Sequence, residues 1–156
     1  MLKYVDTLVS FQEVPNEISL CINLSNCPNM CEGCHSSYLR EDIGTLLTFT
    51  ELELLIKKNK GISCIALLGG DNDPKAINEL AKQVKSHFPN LQVAWYSGKA
   101  SLSPDINLEN FNYIKLGPYI EDLGPLSSKT TNQTMYQILF SDDRFIMIDV
   151  TFRFWK

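Results

Sequence analysis

Ile62-Ser63-Cys64-Ile65-Ala66-Leu67-Leu68-Gly69-Gly70-Asp71 is the stretch whose reading decides the fold. From Ile62 to Leu68 it is apolar almost throughout, without the alternation of a half-exposed strand. That is how a strand covered on both faces of a parallel sheet reads. The glycine pair stops it. Just beyond, Asp73 supplies an N-cap and Pro74 a first-turn residue, so a helix opens there. Ile77, Leu80, Ala81, Val84 and Phe88 give that helix one apolar stripe, and Pro89 ends it. Leu91 to Tyr96 is the next strand, closed by Ser97-Gly98, and Asn112 to Leu116 another, closed by Gly117-Pro118.

Upstream, Thr50 to Lys60 reads as a helix. Thr50 and Glu53 form a capping box, and Phe49 and Leu54 are placed as a hydrophobic staple. Lys57, Lys58 and Lys60 suit the negative end of its dipole, and Gly61 fits the C′ position. Ile18 to Leu24 precedes it as a strand, and Val5 to Phe11 as another, turned at Val14-Pro15-Asn16. At the far end, Tyr136 to Phe140, a Ser141-Asp142-Asp143 turn and Phe145 to Phe154 read as a hairpin. Strand, helix, strand, helix, strand means βαβ units with right-handed crossovers and a mostly parallel sheet. A full eight-fold barrel takes ~250 residues, and this chain has 156. The expected fold is α/β, an open partial (β/α) barrel with a C-terminal β-hairpin, one domain over residues 1–156.

Net charge is −4, with charged residues at 21%, which gives no electrostatic case for nucleic acid or an anionic membrane. No apolar run reaches the ~18 residues of a transmembrane helix, and Met1 to Asp6 lacks the apolar core of a signal peptide. The cysteine count, 5, is odd, and Cys21 and Cys64 lie inside apolar runs, where they read as buried thiols. The expectation is a reducing cytoplasm.

Cys27, Cys31 and Cys34 stand apart, at C-x3-C-x2-C spacing within one short loop that follows the strand ending at Leu24. A [4Fe–4S] cluster usually takes four cysteine ligands, one per iron. Three leave one iron open, and an open position is what lets a metal centre do chemistry. The rival reading is a structural zinc site with His35 as a fourth ligand. It suits the residue types but not the adjacency of Cys34 and His35, since zinc sites usually gather ligands from separated pairs.

In this spacing the loop resembles a radical S-adenosylmethionine (SAM) site. Several further runs resemble the activating proteins of anaerobic ribonucleoside-triphosphate reductase: Phe11-Gln12-Glu13-Val14-Pro15, Cys31-Glu32-Gly33-Cys34-His35, Gly69-Gly70-Asp71, Leu116-Gly117-Pro118-Tyr119-Ile120-Glu121 and Thr131-Asn132-Gln133. Gly33 stands where many members of the superfamily place an aromatic residue, and this small residue is shared by the activating proteins. Asp71-Asn72-Asp73-Pro74 departs from the commoner Gly-Gly-Glu/Asp-Pro form. The resemblance implies a [4Fe–4S] cluster on Cys27, Cys31 and Cys34, with SAM on the open iron. It implies reductive cleavage of SAM and a glycyl radical made on the reductase large subunit, with a low-potential electron donor as second partner. The alternatives are a small radical SAM enzyme acting on a metabolite, of the deazapurine-synthase type, and a non-enzymatic electron carrier or zinc-binding module.

Gly69 and Gly70 permit close backbone approach to a ligand, and the resemblance places the SAM amino group there. Their bland rival is a tight turn, and that of Asp71 a solvated carboxylate. Tyr96, Ser97 and Gly98 either meet adenosine or turn the chain. His35 and His87 receive no role.

Overall fold

A computed structural model describes residues 1–31, 33 and 36–155. Its strands are β1 (Lys3–Ser10), β2 (Ser19–Leu24), β3 (Thr45–Leu46), β4 (Cys64–Leu68), β5 (Gln92–Tyr96), β6 (Tyr113–Leu116), β7 (Thr134–Ser141) and β8 (Arg144–Asp149), and its α-helices are α1 (Phe49–Lys58) and α2 (Pro74–His87). The strands form one eight-stranded sheet in the order β3-β1-β2-β4-β5-β6-β7-β8, open rather than closed into a barrel. β2, β4, β5 and β6 run parallel at its centre. β1 pairs antiparallel with β2, and β7 with both β6 and β8.

The apolar run that set the expectation is the centre of this sheet. Cys64, Ile65, Ala66 and Leu67 are all buried, because β4 has helices on one face and a second apolar layer on the other. On the helix face Leu52 and Ile56 of α1 and Ile77, Leu80, Ala81 and Val84 of α2 pack with Leu20, Ile22, Ile65, Leu67 and Trp95. Each such fully buried aliphatic side chain contributes about 1.5–3 kcal/mol. On the opposite face Cys21, Cys64, Ala66, Ala94, Tyr113 and Met135 are covered by Val14, Leu126 and Val150, all from connecting segments.

Several boundaries differ from expectation. Helix α1 starts earlier: its N-cap is Thr48, whose hydroxyl accepts from the Glu51 N–H at 3.2 Å. Thr48-x-x-Glu51 and Thr50-x-x-Glu53 match the same capping signature, and Leu47 and Leu52, both buried, favour the first. The C-cap is Asn59, so Gly61, at φ +90°, lies one residue beyond the expected position. The last strand stops at Asp149 rather than Phe154. Asp149 Oδ1 accepts from both the Thr151 N–H and its hydroxyl, at 2.9 and 2.7 Å, which turns the chain into a 3-10 helix over Thr151–Phe154. Helix α2 begins as expected, with Asp73 accepting from the Ala76 N–H and Pro74 in the first turn.

Because the central strands are parallel, their C-terminal ends share one edge. Leu24, Leu68, Tyr96 and Leu116 lead there into the cysteine loop, Gly69–Asp71, Ser97–Gly98 and Gly117. Ligands of open α/β sheets bind at that edge.

Candidate metal centre at the strand ends

The cysteine loop leaves β2 through Asn26, which adopts φ +58°, a left-handed conformation that asparagine tolerates. The Cys27 N–H donates to the Leu39 carbonyl at 2.9 Å, and Arg40 Nη2 donates to the Cys31 carbonyl at 2.6 Å. Backbone and guanidinium thus fix the loop, and the Cys27 thiol makes only a long contact, 3.9 Å, to the Asn29 carbonyl. Cys27 and Cys31 are free, half-buried, and line one cavity of about 250 Å³. Cys34, the third expected ligand, lies outside the described residues, as does His35. Accordingly no three ligating side chains converge among the described residues.

The same cavity is lined by Gly69, Asp71, Tyr96 and Gly98. Four of the six further residues expected at the site therefore meet the two cysteines. Gly70 and Ser97 sit behind them. Gly70 is buried, with φ +90°, and an added Cβ would stand 2.5 Å from Ile77 Cδ1. Ser97 is 1% exposed and donates its hydroxyl to Asp71 Oδ1 at 2.6 Å. The carbonyl of Gly69 accepts from the Trp95 indole at 2.7 Å and that of Gly70 from the Asp73 N–H at 3.0 Å. Each carbonyl keeps a second lone pair.

Asp71 is the knot of this region. Besides Ser97, its carboxylate accepts from the Gly98 N–H at 2.8 Å and from Asn29 Nδ2 at 2.7 Å. One side chain thereby ties the end of β4 to the end of β5 and to the cysteine loop. Gly98 makes this possible, since a Cβ there would lie 2.6 Å from Asn29 Nδ2.

Sequence reasoning missed Lys115. It is 8% exposed, and its ammonium donates to the carbonyls of Ser97 and Gly117, each at 3.0 Å. Burial pulls its pKa down to about 8, against the opposing pull of Asp71, Cys31 and Cys27. A lysine inside the apolar run Tyr113-Ile114-Lys115-Leu116 was the available signal, because lysine is rarely buried unless paired. Tyr96 lies half-buried beside it, with Lys115 Nζ 5.9 Å from its ring centre and its own hydroxyl donating to the Glu13 carbonyl. Burial pushes the Tyr96 phenol well above its ordinary range.

Two free thiols on one cavity, with a buried ammonium facing them, suit a thiolate-bound metal centre whose net charge is negative. The comparison with protein families decides which. The model of the 4Fe-4S single cluster domain matches residues 18–136. The chain belongs to that family. No curated protein and no solved structure matches the chain. A [4Fe–4S] cluster is therefore the cofactor of this domain, and Cys27 and Cys31 are the described side chains that fit it. Among the described residues no helix is long and apolar enough to cross a membrane.

Proposed function

We propose that this protein is a radical SAM activase that generates a glycyl radical on anaerobic ribonucleoside-triphosphate reductase. One observation carries the proposal. Two cysteines of a three-cysteine loop share a single cavity with Gly69, Asp71, Tyr96 and Gly98, at the C-terminal ends of parallel strands. A three-cysteine [4Fe–4S] site keeps one iron for a ligand, and the cavity supplies room beside it.

Bound there, cluster and SAM supply one-electron cleavage of SAM to methionine and a 5′-deoxyadenosyl radical, which takes a hydrogen atom from a glycine Cα. The chain's part is to hold and to shield. Cys27, Cys31 and Cys34 hold the cluster. The free lone pairs of the Gly69 and Gly70 carbonyls suit an ammonium group. Lys115 brings positive charge beneath the thiolates, and Asp71 keeps the loops in register. Tyr96, Leu24 and Leu68 give the cavity apolar walls, which exclude the water and stray hydrogen donors that would quench a carbon radical. The partners of this reading are the reductase large subunit and a low-potential electron donor, and its setting is the reducing cytoplasm.

The test is anaerobic reconstitution with iron and sulfide, followed by reduction in the presence of SAM and the reductase. 5′-Deoxyadenosine together with a glycyl-radical signal on the reductase, assigned by glycine deuteration, supports the proposal. Release of 5′-deoxyadenosine with turnover of a small metabolite and no protein radical moves the function to a metabolite enzyme. Absence of 5′-deoxyadenosine leaves a cluster-binding module.

A further inference from the structure

Among the described residues one charged side chain is buried, Lys115. It stands on β6 and lines the cavity that Cys27 and Cys31 also line. Its ammonium takes part in no ion pair among the described residues. Two of its three N–H groups go to the carbonyls of Ser97 and Gly117, just past the ends of β5 and β6. The negative groups that favour its charge are Asp71, then Cys31 and Cys27.

Tying two strand ends together needs only a neutral donor. An ammonium does the same at a higher cost, because burial penalises its charge. What the charge adds is a fixed positive potential inside the cavity. Solvent and salt damp it little there, since a buried charge is screened less than an exposed one. The other cation on the cavity, Arg40, is only half-buried and holds the Cys31 carbonyl through Nη2, so its charge is damped more.

We propose that Lys115 is an electrostatic positioning residue, whose ammonium holds the reduction potential of a [4Fe–4S] cluster on Cys27, Cys31 and Cys34 above the value the thiolates alone would set. The inference rests on the three-cysteine cluster of the reading above and on no particular substrate. Reduction moves one electron from a low-potential donor onto that cluster. No bond forms or breaks, and one unit of negative charge is added to a centre the thiolates already make negative. Net charge is one of the quantities that set such a potential. A cation at fixed position favours the more negative state, so a given donor keeps a larger share of the cluster reduced.

Potentiometric titration followed by electron paramagnetic resonance tests this on the reconstituted protein without SAM. Neutral pH keeps the lysine below its pKa of about 8, and so charged. Lys115→Met and Lys115→Gln should each shift the one-electron equilibrium towards the oxidised cluster by about tenfold, a midpoint about 59 mV lower. Iron and sulfide content should match the wild type. Glutamine keeps a donor for the two carbonyls and methionine does not, so equal shifts assign the effect to charge. Lys115→Arg should hold the equilibrium within about threefold of the wild type, since it keeps the charge. Lys82→Met, at an exposed position of α2, should leave it unchanged. A wild-type midpoint in Lys115→Gln overturns the inference and makes Lys115 a structural tie, with the cluster reading intact. Failure of both neutral variants to hold a cluster overturns it as well, because the ammonium then serves assembly rather than potential. Where Lys115→Met alone fails to hold one, the Gln and Arg variants decide. A wild-type protein that assembles no [4Fe–4S] cluster overturns both the inference and the reading beneath it.

Discussion

The loop that carries the cysteines and the loops that close the cavity around them are built on opposite principles. Gly69–Asp71 and Ser97–Gly98 are finished by the protein alone. Their carbonyls, hydroxyls and the Asp71 carboxylate are hydrogen-bonded within the fold, and Gly70 is wedged against Ile77 and Leu24. The cysteine loop is tied down at its ends and once in its middle, through Asn29, while its described thiols are unbridged and line the cavity. The protein pre-organises the ligand cavity and leaves the geometry of the cysteine loop for the cluster to complete. Removing the metal should therefore loosen one region and spare the other.

The largest effect should come from the three cysteines proposed as ligands. Cys27→Ala, Cys31→Ala or Cys34→Ala should abolish the visible absorbance of the reconstituted cluster while far-ultraviolet circular dichroism stays at the wild-type value. Loss of secondary structure along with the cluster would show that the metal organises the sheet as well, and the contrast between the two regions would fall.

Gly70→Val strikes the other region. A Cβ at φ +90°, 2.5 Å from Ile77 Cδ1, combines backbone strain with overpacking and should cost about 3–5 kcal/mol of unfolding free energy. Denaturant titration of the metal-free protein reads it directly. An unchanged midpoint would mean that the strand-end loop is not held by packing.

Asp71→Ala lies between the regions because it severs the knot joining them. Three hydrogen bonds to one carboxylate are lost, worth about 2 kcal/mol for a partly exposed group. Hydrogen exchange should accelerate at both Gly98 and the cysteine loop. Acceleration at Gly98 alone would remove Asn29 from the network.

The difference between the regions also explains what the sequence revealed. The finished region was legible because its causes are local. An apolar run stopped by Gly69-Gly70, and Asp73-Pro74 at a helix start, each state their own structure. Four strand ends on one edge followed from the order of elements, and the cysteine spacing announced the cofactor. What stayed hidden depends on partners distant in sequence. Strand β3, Thr45–Leu46, is too short to carry a period, and exists because Lys3 and Tyr4 pair with it. The choice of Thr48 over Thr50 as N-cap goes with the burial of Leu47 and Leu52, and Leu47 is held by the Leu2 carbonyl, distant in sequence. Gln133 and Asn29 look like ordinary polar residues until the fold brings them to the cavity, whereas Lys115 is marked only by the apolar run around it.

A smaller effect separates the cysteines of the loop from the other two. Burial pushes the thiols of Cys21 and Cys64 up to about 12, so neither is a thiolate at neutral pH. Their folded-state pKa lies above the unfolded value, so the unfolded chain loses these protons first. Stability is full below about pH 8.5 and falls as the pH rises towards 12. Cys21→Ala and Cys64→Ala should keep the cluster and cost about 1–2 kcal/mol at neutral pH. Each should also flatten the alkaline loss of stability, as read by pH-dependent thermal melts. Cluster loss in either variant would make it a ligand.

The smallest effect on stability should come from Gly98→Ala, and it probes the contrast most finely. Gly98 shows no left-handed backbone angle, so alanine brings no strain there. The added Cβ meets the Asn29 side chain, nearest at Nδ2 and then at Cγ, a flexible group that can swing aside. The midpoint of unfolding should stay within about 0.5 kcal/mol of the wild type. Swinging aside nevertheless breaks the bond from Asn29 to Asp71, while Ser97 and the Gly98 N–H keep theirs. The strand-end loops should thus remain closed as the cysteine loop loses its tie at mid-length. Metal-free Gly98→Ala should show faster hydrogen exchange across the cysteine loop only, and the reconstituted variant should return to the wild-type rate once the cluster bridges the thiols. Persistent fast exchange with the cluster bound would mean that Asn29, rather than the metal, sets the conformation of the loop.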